Sequence, residues 1–433
     1  MERLEIGLFG IVVMLVAIVL RVPIAVAMGL TSFGGIWMMM GPMPAVGISK
    51  AIPYEMIGDW NLSAVPMFLL MGYLASGAGL TAGLFNAARV FLNRIPGGLA
   101  TASVASSALF ASASGSSVAT AAAFSRIAIP EMLKAGYAPS LAAGSVAAAG
   151  TLGSLIPPSV LLIIYGLMMD VSIATLFLAA IIPGILSGVV FAGMITLRCT
   201  LNPALAPRLN EVTSWREKLA LLRETWPLPL LIAGVLGGIF SGIFTATEAG
   251  AIGAFLAGII ALCRRTLNFS MMRNALVDTA VSTSAIFIIV VAAALFSRFI
   301  ALSTLPVWVT GQFAGLDTIW VIILICVLYL ILGCFLESIS IILLTVPVLA
   351  PLLHSLDINL IWFGVLMVKL LETGLITPPV GMNVYVIKSS LGNTISLGTI
   401  FAGASWFILA DAFTIILLVA FPIITLWLPG LTG

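Results

Sequence analysis

The sequence predicts an all-α polytopic membrane protein, and three observations predict it. Of the 433 residues, 61% are hydrophobic and only 8% charged, where a soluble domain carries about 25% charged residues. Apolar runs of about 20 residues, enough to cross a bilayer as helix, recur from one end to the other. The second half also repeats the punctuation of the first. Shifting the numbering by 221 places Gly153 on Gly374, Pro157 and Pro158 on Pro378 and Pro379, Pro130 on Pro351 and Gly29 on Gly250.

Composition also removes several function classes. A net charge of +2 without a basic stripe gives no nucleic-acid surface. Cys199, Cys263, Cys326 and Cys334 are scattered with no C-x-x-C pair, so neither a disulfide framework nor a zinc site is indicated. No G-x-x-x-x-G-K-[ST] occurs, nor any H-E-x-x-H. His354 is the single histidine; a Ser–His dyad built on it has nothing else in support, so the expectation is a non-enzyme. The N-terminal apolar run lacks a small-residue cleavage site and reads as a first span.

In chain order, residues 6–20 and 22–40 read as two spans parted by Arg21 and Pro23. Residues 41–61, with Lys50, Glu55 and Asp59, read as a loop or an interfacial helix. Spans follow near 62–78 and 80–93, with Arg89 and Arg94 at a membrane edge. Residues 97–137 are too polar in the middle for one span and too short for two, so a re-entrant hairpin is expected. Its tip, Ala111-Ser-Ala-Ser-Gly-Ser-Ser-Val-Ala-Thr120, holds five hydroxyls and a glycine. Residues 138–169 are one span or more, interrupted at Ile156-Pro-Pro158, and 174–197 form another. The polar stretch 198–227 carries Arg198, Arg208, Arg216, Lys218 and Arg223 and reads as a cytoplasmic linker.

Two repeats follow, 1–221 and 222–433. The first has its hairpin at about 97–137 and its broken helix at about 150–159; the second has them at about 318–355 and 371–383. The second tip falls on Gly333-Cys-Phe-Leu-Glu-Ser-Ile-Ser340. Charge placement favours inverted topology: Arg89 and Arg94 correspond to Thr310 and Gly315, whereas Arg264, Arg265 and Arg273 correspond to Met43, Pro44 and Ile52. In lipid an unpaired backbone group costs several kcal/mol, so broken helices occur where they line a cavity or lie inside protein. Paired breaks at matching positions of two halves point to a transporter binding site, where freed carbonyls and hydroxyls hold a cation and helix N-termini meet an anion. Small-residue helix packing is the plainer reading of a lone Ser/Ala/Gly run; the matching Pro-Pro breaks favour a site. A channel fits the composition as well, although interrupted repeats favour alternating access.

Charges inside the bilayer are costly and each needs a reason. Arg126, close after the first tip, is read as a carboxylate contact, an interfacial group or a partner of Glu131. Glu248 is expected to bond a neighbouring helix or the other broken segment. Lys369 and Glu372, three apart, are expected to pair on one helix face, and Arg298 and Asp411 to be edge or partner-facing groups. The spacings Gly184/Gly188, Gly238/Gly242 and Gly311/Gly315 are expected to be close helix contacts.

At this point several motifs in one order resemble a known family. Ser114-Gly-Ser-Ser-Val-Ala-Thr120, Ile129-Pro-Glu-Met-Leu-Lys-Ala-Gly-Tyr137, Gly150-Thr-Leu-Gly-Ser-Leu-Ile-Pro-Pro-Ser159, Leu178-Ala-Ala-Ile-Ile-Pro-Gly184, Thr245-Ala-Thr-Glu-Ala249 and Gly374-Leu-Ile-Thr-Pro-Pro-Val-Gly-Met-Asn383 are similar to the large membrane subunit of the TRAP transporters, the DctM-like permeases. The resemblance covers essentially the whole chain. It implies two inverted-topology repeats, each with a re-entrant helical hairpin and a broken transmembrane helix, in an elevator-type transporter of the bacterial inner (cytoplasmic) membrane. It implies import of organic acids (C4-dicarboxylates, keto acids or sialic acid) driven by Na+ as coupling ion. Partners would be a small four-helix membrane subunit, absent from this sequence and so expected as a separate chain, and a periplasmic solute-binding protein. Many relatives carry Asp where Glu337 stands here, a longer side chain at the second tip.

Carried over residue by residue, the resemblance implies two sodium sites. The first uses Ser114, Gly115, Ser116 and Ser117 with Thr151, Gly153 and Pro157. The second uses Glu337, Ser338, Gly374, Thr377 and Pro378, with Asn383 as a further candidate. Substrate would contact Ser116, Thr120, Arg126, Ser338 and Asn383. Alternatives are another sodium- or proton-coupled carboxylate or ion transporter of related architecture, or a non-transporting membrane scaffold subunit.

Overall fold

A computed structural model describes residues 2–207, 214–313 and 315–431, and every regular element among them is a helix. The chain starts with α1 (Arg3–Val19) and α2 (Ile24–Met40). Between them Arg21 takes φ +66°, and Pro23 caps α2. Gly41 at φ +88° then turns the chain into α3 (Pro42–Ile57), so the segment 41–61 is largely helical. Asp59 ends that run by accepting from the Asn61 amide at 2.8 Å. Next come α4 (Ala64–Gly77) and α5 (Leu80–Leu92), followed by the hairpin α6 (Gly98–Ser114) and α7 (Ser117–Lys134). A further helix is split into α8 (Pro139–Thr151) and α9 (Val160–Met169), and the long α10 (Ile173–Leu201) completes the first half.

The polar linker contributes a short helix, α11 (Trp215–Thr225), and Arg198 at the end of α10 lies over the Trp406 ring at 4.3 Å. Arg208 lies outside the described residues. The second half runs α12 (Pro227–Phe240), α13 (Ala246–Cys263), α14 (Phe269–Leu302), α15 (Leu305–Phe313), α16 (Thr318–Phe335), α17 (Ser338–Ser355), α18 (Leu360–Gly374), α19 (Met382–Leu391), α20 (Leu397–Ala420) and α21 (Ile423–Gly430). A shift of 221 carries α7 onto α17 end to end, and α6, α8, α9 and α10 onto α16, α18, α19 and α20 within a few residues. The halves differ at α3 and α4, which together correspond to the unbroken α14. Gly58 and the Asp59 turn interrupt the first copy, whereas the matching Thr279-Ala-Val-Ser-Thr-Ser284 contains no glycine, proline or acidic capping group.

Six of the described helices are long and apolar enough to cross a bilayer: α10, α13, α14, α16, α17 and α20. Many large apolar side chains on the outer faces are exposed, among them Val12, Leu30, Phe255 and Trp320; a bilayer is the solvent in which such surfaces are at rest. The interior is held by the two helices that precede the breaks. Every residue of α8 from Leu141 to Thr151 is buried, and so is every residue of α18 from Trp362 to Gly374. Alanine and glycine make the α8 burial possible, because a Cβ on Gly403 of α20 would lie 1.9 Å from the Ser140 carbonyl oxygen. Likewise a Cβ on Gly374 would lie 2.5 Å from Gly333 Cα, so α16 and α18 touch backbone to backbone.

The expected GxxxG contacts need correction. A Cβ on Gly184 would meet Ile156 at 2.8 Å, a genuine helix contact. Gly238 instead faces Phe244 of its own following turn, Gly242 forms that turn at φ +73°, and Gly311 and Gly315 have nothing within 4 Å. Spacing alone does not distinguish a helix seam from a turn glycine.

Candidate functional site

Tip one is a helix-turn-helix made by one residue that needs a left-handed backbone. Gly115 adopts φ +60°, and a Cβ there would sit 3.3 Å from the Pro158 carbonyl oxygen. Ser116 is extended and caps α7, its hydroxyl accepting from the Ala119 amide at 3.4 Å. Thr120, fully buried, donates to the Ser116 carbonyl at 2.8 Å and shares a 2.9 Å hydrogen bond with Ser114. Thr120 therefore braces the turn from behind.

Tip two turns through Leu336 and Glu337, both in extended conformation, with no glycine. The Glu337 carboxylate accepts from Ser340 at 3.5 Å. Ser338 starts α17; its hydroxyl is buried and has no hydrogen-bond partner among the described residues. At both tips a helix of 18 residues begins, so unpaired N–H groups and the positive end of a helix dipole face the same region.

The breaks support the tips. Beyond α8 the backbone passes close to tip one: a Cβ on Gly153 would lie 3.0 Å from the Ser117 Cα and amide nitrogen. Ser159 caps α9 and donates to the Ser154 carbonyl. The Pro157–Pro158 and Pro378–Pro379 peptide bonds are both cis. Thr151 spends its hydroxyl on its own helix, bonding the Ala148 carbonyl at 2.6 Å, and Thr377, just past α18, bonds the Thr373 carbonyl at the end of that helix at 2.7 Å. Asn383, fully buried at the start of α19, donates to the Ala147 carbonyl of α8 at 3.4 Å, while its Oδ1 finds no partner among the described residues. Pro157 is buried and Pro378 is exposed, so the second break opens outward more than the first.

Between the tips lies a cavity of about 340 Å³. Tip one contributes Ser114, Gly115, Ser116 and Ser117; tip two contributes Glu337 and Ser338. The opposite wall comes from α4 (Leu69, Gly72, Tyr73, Ser76) and α14 (Ser282, Ala285, Ile286). Tyr73 and Ser282 join those two helices through a 2.8 Å hydrogen bond. Gly72 lets α4 approach tip one closely, since a Cβ there would be 2.9 Å from the Ala113 carbonyl oxygen of α6. Two carboxylates, Glu337 and Glu372, line the cavity, and its lining contains no basic side chain.

Six of the expected site residues thus meet at one cavity. Thr120, Thr151, Gly153, Pro157, Gly374, Thr377, Pro378 and Asn383 do not line it; several of them sit behind the lining and shape it. Arg126 is exposed and does not line it either. Glu131 is bonded to Arg89 at 3.4 Å and Lys134 at 3.1 Å.

Three charge assignments are overturned. Lys369 does not pair with Glu372 across one helical turn; it forms a buried salt bridge with Asp411 of α20. Asp411 is therefore fully buried rather than edge-facing, and Thr373 also donates to it at 3.0 Å. Glu372 turns the other way, into the cavity, where its Oε2 accepts a hydrogen bond from Ser117. Among the described residues Glu248 bonds no neighbouring helix; it closes a capping box with Thr245 at the start of its own α13. His354 is exposed, far along α17 from tip two. Sequence reasoning assigned Glu372 to an ion pair with Lys369 instead of the site, and singled out neither Ser154 nor the α4–α14 wall. The Thr245-Ala-Thr-Glu248 pattern was a readable capping signal, whereas no local signal marked Glu372.

Helices interrupted at matching points, two tips meeting at a cavity that holds hydroxyls and two carboxylates, and an apolar exterior define a polytopic membrane transporter fold. Solved structures of similar fold agree: the YdaH transporter of Alcanivorax borkumensis aligns over 87% of this chain and 86% of its own with TM-score 0.58 at 17% identity. Neisseria gonorrhoeae MtrF, of a class of antimetabolite efflux pumps, aligns over 90% and 85% with TM-score 0.55 at 14% identity. The sequence identifies the family. Residues 11–424 match the tripartite ATP-independent periplasmic transporter, DctM component, and the chain belongs to that family of large TRAP permeases. It is 36% identical over 386 residues, 88% of each chain, to the C4-dicarboxylate TRAP transporter large permease protein DctM of Pseudomonas aeruginosa. It is 34% identical over 380 residues, 87% of each chain, to the sialic acid TRAP transporter large permease protein SiaM of Vibrio cholerae. An isethionate TRAP transporter permease of Oleidesulfovibrio alaskensis is 32% identical over 85% of this chain and 58% of its own length.

Proposed function

We propose that this chain is the permease of a sodium-coupled importer of small organic acids in the bacterial inner membrane, not an enzyme. It works with a small four-helix membrane subunit and a periplasmic solute-binding protein. The relatives named for C4-dicarboxylate, sialic acid and isethionate all carry acidic solutes, which supports an organic anion as substrate.

The observation that carries the reading is the cavity where both tips meet, lined by two carboxylates and no basic group. An anion entering it would meet like charge at short range, where screening is weak. Cations bound beforehand at the oxygens of Ser117, Glu337 and their neighbours reverse that field. The N-termini of α7 and α17 then face the substrate carboxylate. Cation and anion thus bind with positive coupling, each raising the affinity for the other. Hydroxyl, carbonyl and carboxylate oxygens are the donors a hard cation requires. The two halves act as inverted repeats, and the hairpins with α8 and α18 slide as an elevator past the wall made by α4 and α14.

Uptake into proteoliposomes holding this chain and both partners tests the proposal, with succinate, pyruvate and N-acetylneuraminate as labelled solutes. An inward sodium gradient is expected to drive accumulation of one of them, and an equal potassium gradient is not. Equal uptake with either gradient would remove the coupling; assembly with the partners but no flux would leave a scaffold subunit.

A further inference from the structure

Among the buried charged groups of the described residues, Glu372 stands apart. It sits on α18 of the second half with 1% of its surface exposed. Its Oε2 accepts from Ser117 at the start of α7, and Ser117 in turn shares a 3.0 Å hydrogen bond with Ser154 beyond α8. Its Oε1 is buried with no hydrogen-bond partner among the described residues. The nearest basic group along its helix, Lys369, is committed to Asp411. A carboxylate in this position lacks the partner that makes a buried charge tolerable.

We propose that Glu372 is the charged ligand of a monovalent cation site, completed by the hydroxyls of Ser117 and Ser154, at the seam between the two halves. This rests on the sodium-coupled reading above and adds to it a ligand from the opposite repeat. Neutral hydroxyls and carbonyls hold a cation through dipoles alone, whereas Glu372, 1% exposed at the cavity wall, adds a full negative charge. The pairing supplies what each lacks: the cation meets a carboxylate oxygen with no other partner, and the carboxylate gains its counter-charge. Because Ser117 and Ser154 come from the first half and Glu372 from the second, an occupying cation ties tip one to α18. Occupancy then sets the spacing of the cavity walls before substrate arrives. It also cancels one of the two carboxylate charges facing an incoming anion.

The test is sodium binding by the purified chain in nanodiscs, followed as the sodium-dependent rise in melting temperature, with choline as the replacement cation. Wild type is expected to show a saturable rise. Glu372→Gln keeps an acceptor for Ser117 and removes the charge; it is expected to melt like wild type in choline and to need at least ten times more sodium for half the rise. Ser154→Ala leaves the charge and is expected to need several-fold more sodium. Unchanged half-saturation in Glu372→Gln overturns the proposal. If that variant does not fold, unchanged half-saturation in Ser154→Ala overturns it equally. A wild-type protein with no sodium-dependent rise would instead bring down the sodium-coupled reading itself.

Discussion

The Lys369–Asp411 pair offers the sharpest stability experiment. Asp411 is fully buried and Lys369 is 1% exposed, mid-helix, with the Phe191 ring 5.2 Å from its ammonium. Neither side chain can reach an interface. Asp411→Ala leaves the ammonium without its counter-charge, while the Thr373 hydroxyl keeps the Lys369 carbonyl as acceptor, so the expected loss is about 3–5 kcal/mol, from the unpaired charge. Replacing both partners by apolar side chains of similar volume, Lys369→Met with Asp411→Leu, removes the uncompensated charge and is expected to cost far less, within about 1 kcal/mol of wild type. Reversible unfolding in mixed micelles, run as a double-mutant cycle with Lys369→Met and Asp411→Leu as the single variants, reads the difference as a coupling of at least about 3 kcal/mol. The same assay on Glu372→Gln separates the two candidate partners of Lys369. A cost below about 1 kcal/mol for Asp411→Ala, or an equal cost for Glu372→Gln, would refute the pairing.

Three further outcomes follow from the packing. Gly403→Val drives its Cβ toward the Ser140 backbone, 1.9 Å away; it should cost about 1–3 kcal/mol or more of stability, read by thermal unfolding, because α8 and α20 must separate. Gly115→Ala must hold φ +60°, at a cost of about 1–2 kcal/mol, and should lower uptake through a distorted tip without loss of membrane insertion. Ser116→Leu fills the cavity and should abolish uptake, whereas Thr377→Val, which loses only a hydrogen bond to the Thr373 carbonyl, should retain most of it; both are read in proteoliposomes.

What could be read before the structure was the punctuation. Gly115 and the two Pro-Pro pairs act on their own backbone, so local rules locate the turns and breaks they make. Capping patterns such as Thr245 to Glu248 belong to the same class. Partnerships across helices do not. Lys369 and Glu372 lie three residues apart, the spacing of a helical ion pair, yet each turns to a group from another element: Asp411 of α20 and Ser117 of α7. Exposure was equally out of reach for Arg126, whose closeness to the tip in sequence does not bring it to the cavity. The α4–α14 wall was invisible because Leu69, Tyr73 and Ala285 read as ordinary span residues until the fold sets them opposite the tips.

The central claim, that the two tips face one cavity through which solute passes, is tested most directly by bridging it. In a background with Cys199, Cys263, Cys326 and Cys334 replaced, Ser116→Cys and Ser338→Cys are combined and treated with a short, reducible bifunctional thiol reagent. The account predicts an intramolecular cross-link that stops uptake and releases it on reduction. Thiols that each react singly but never bridge, with uptake intact, would contradict it.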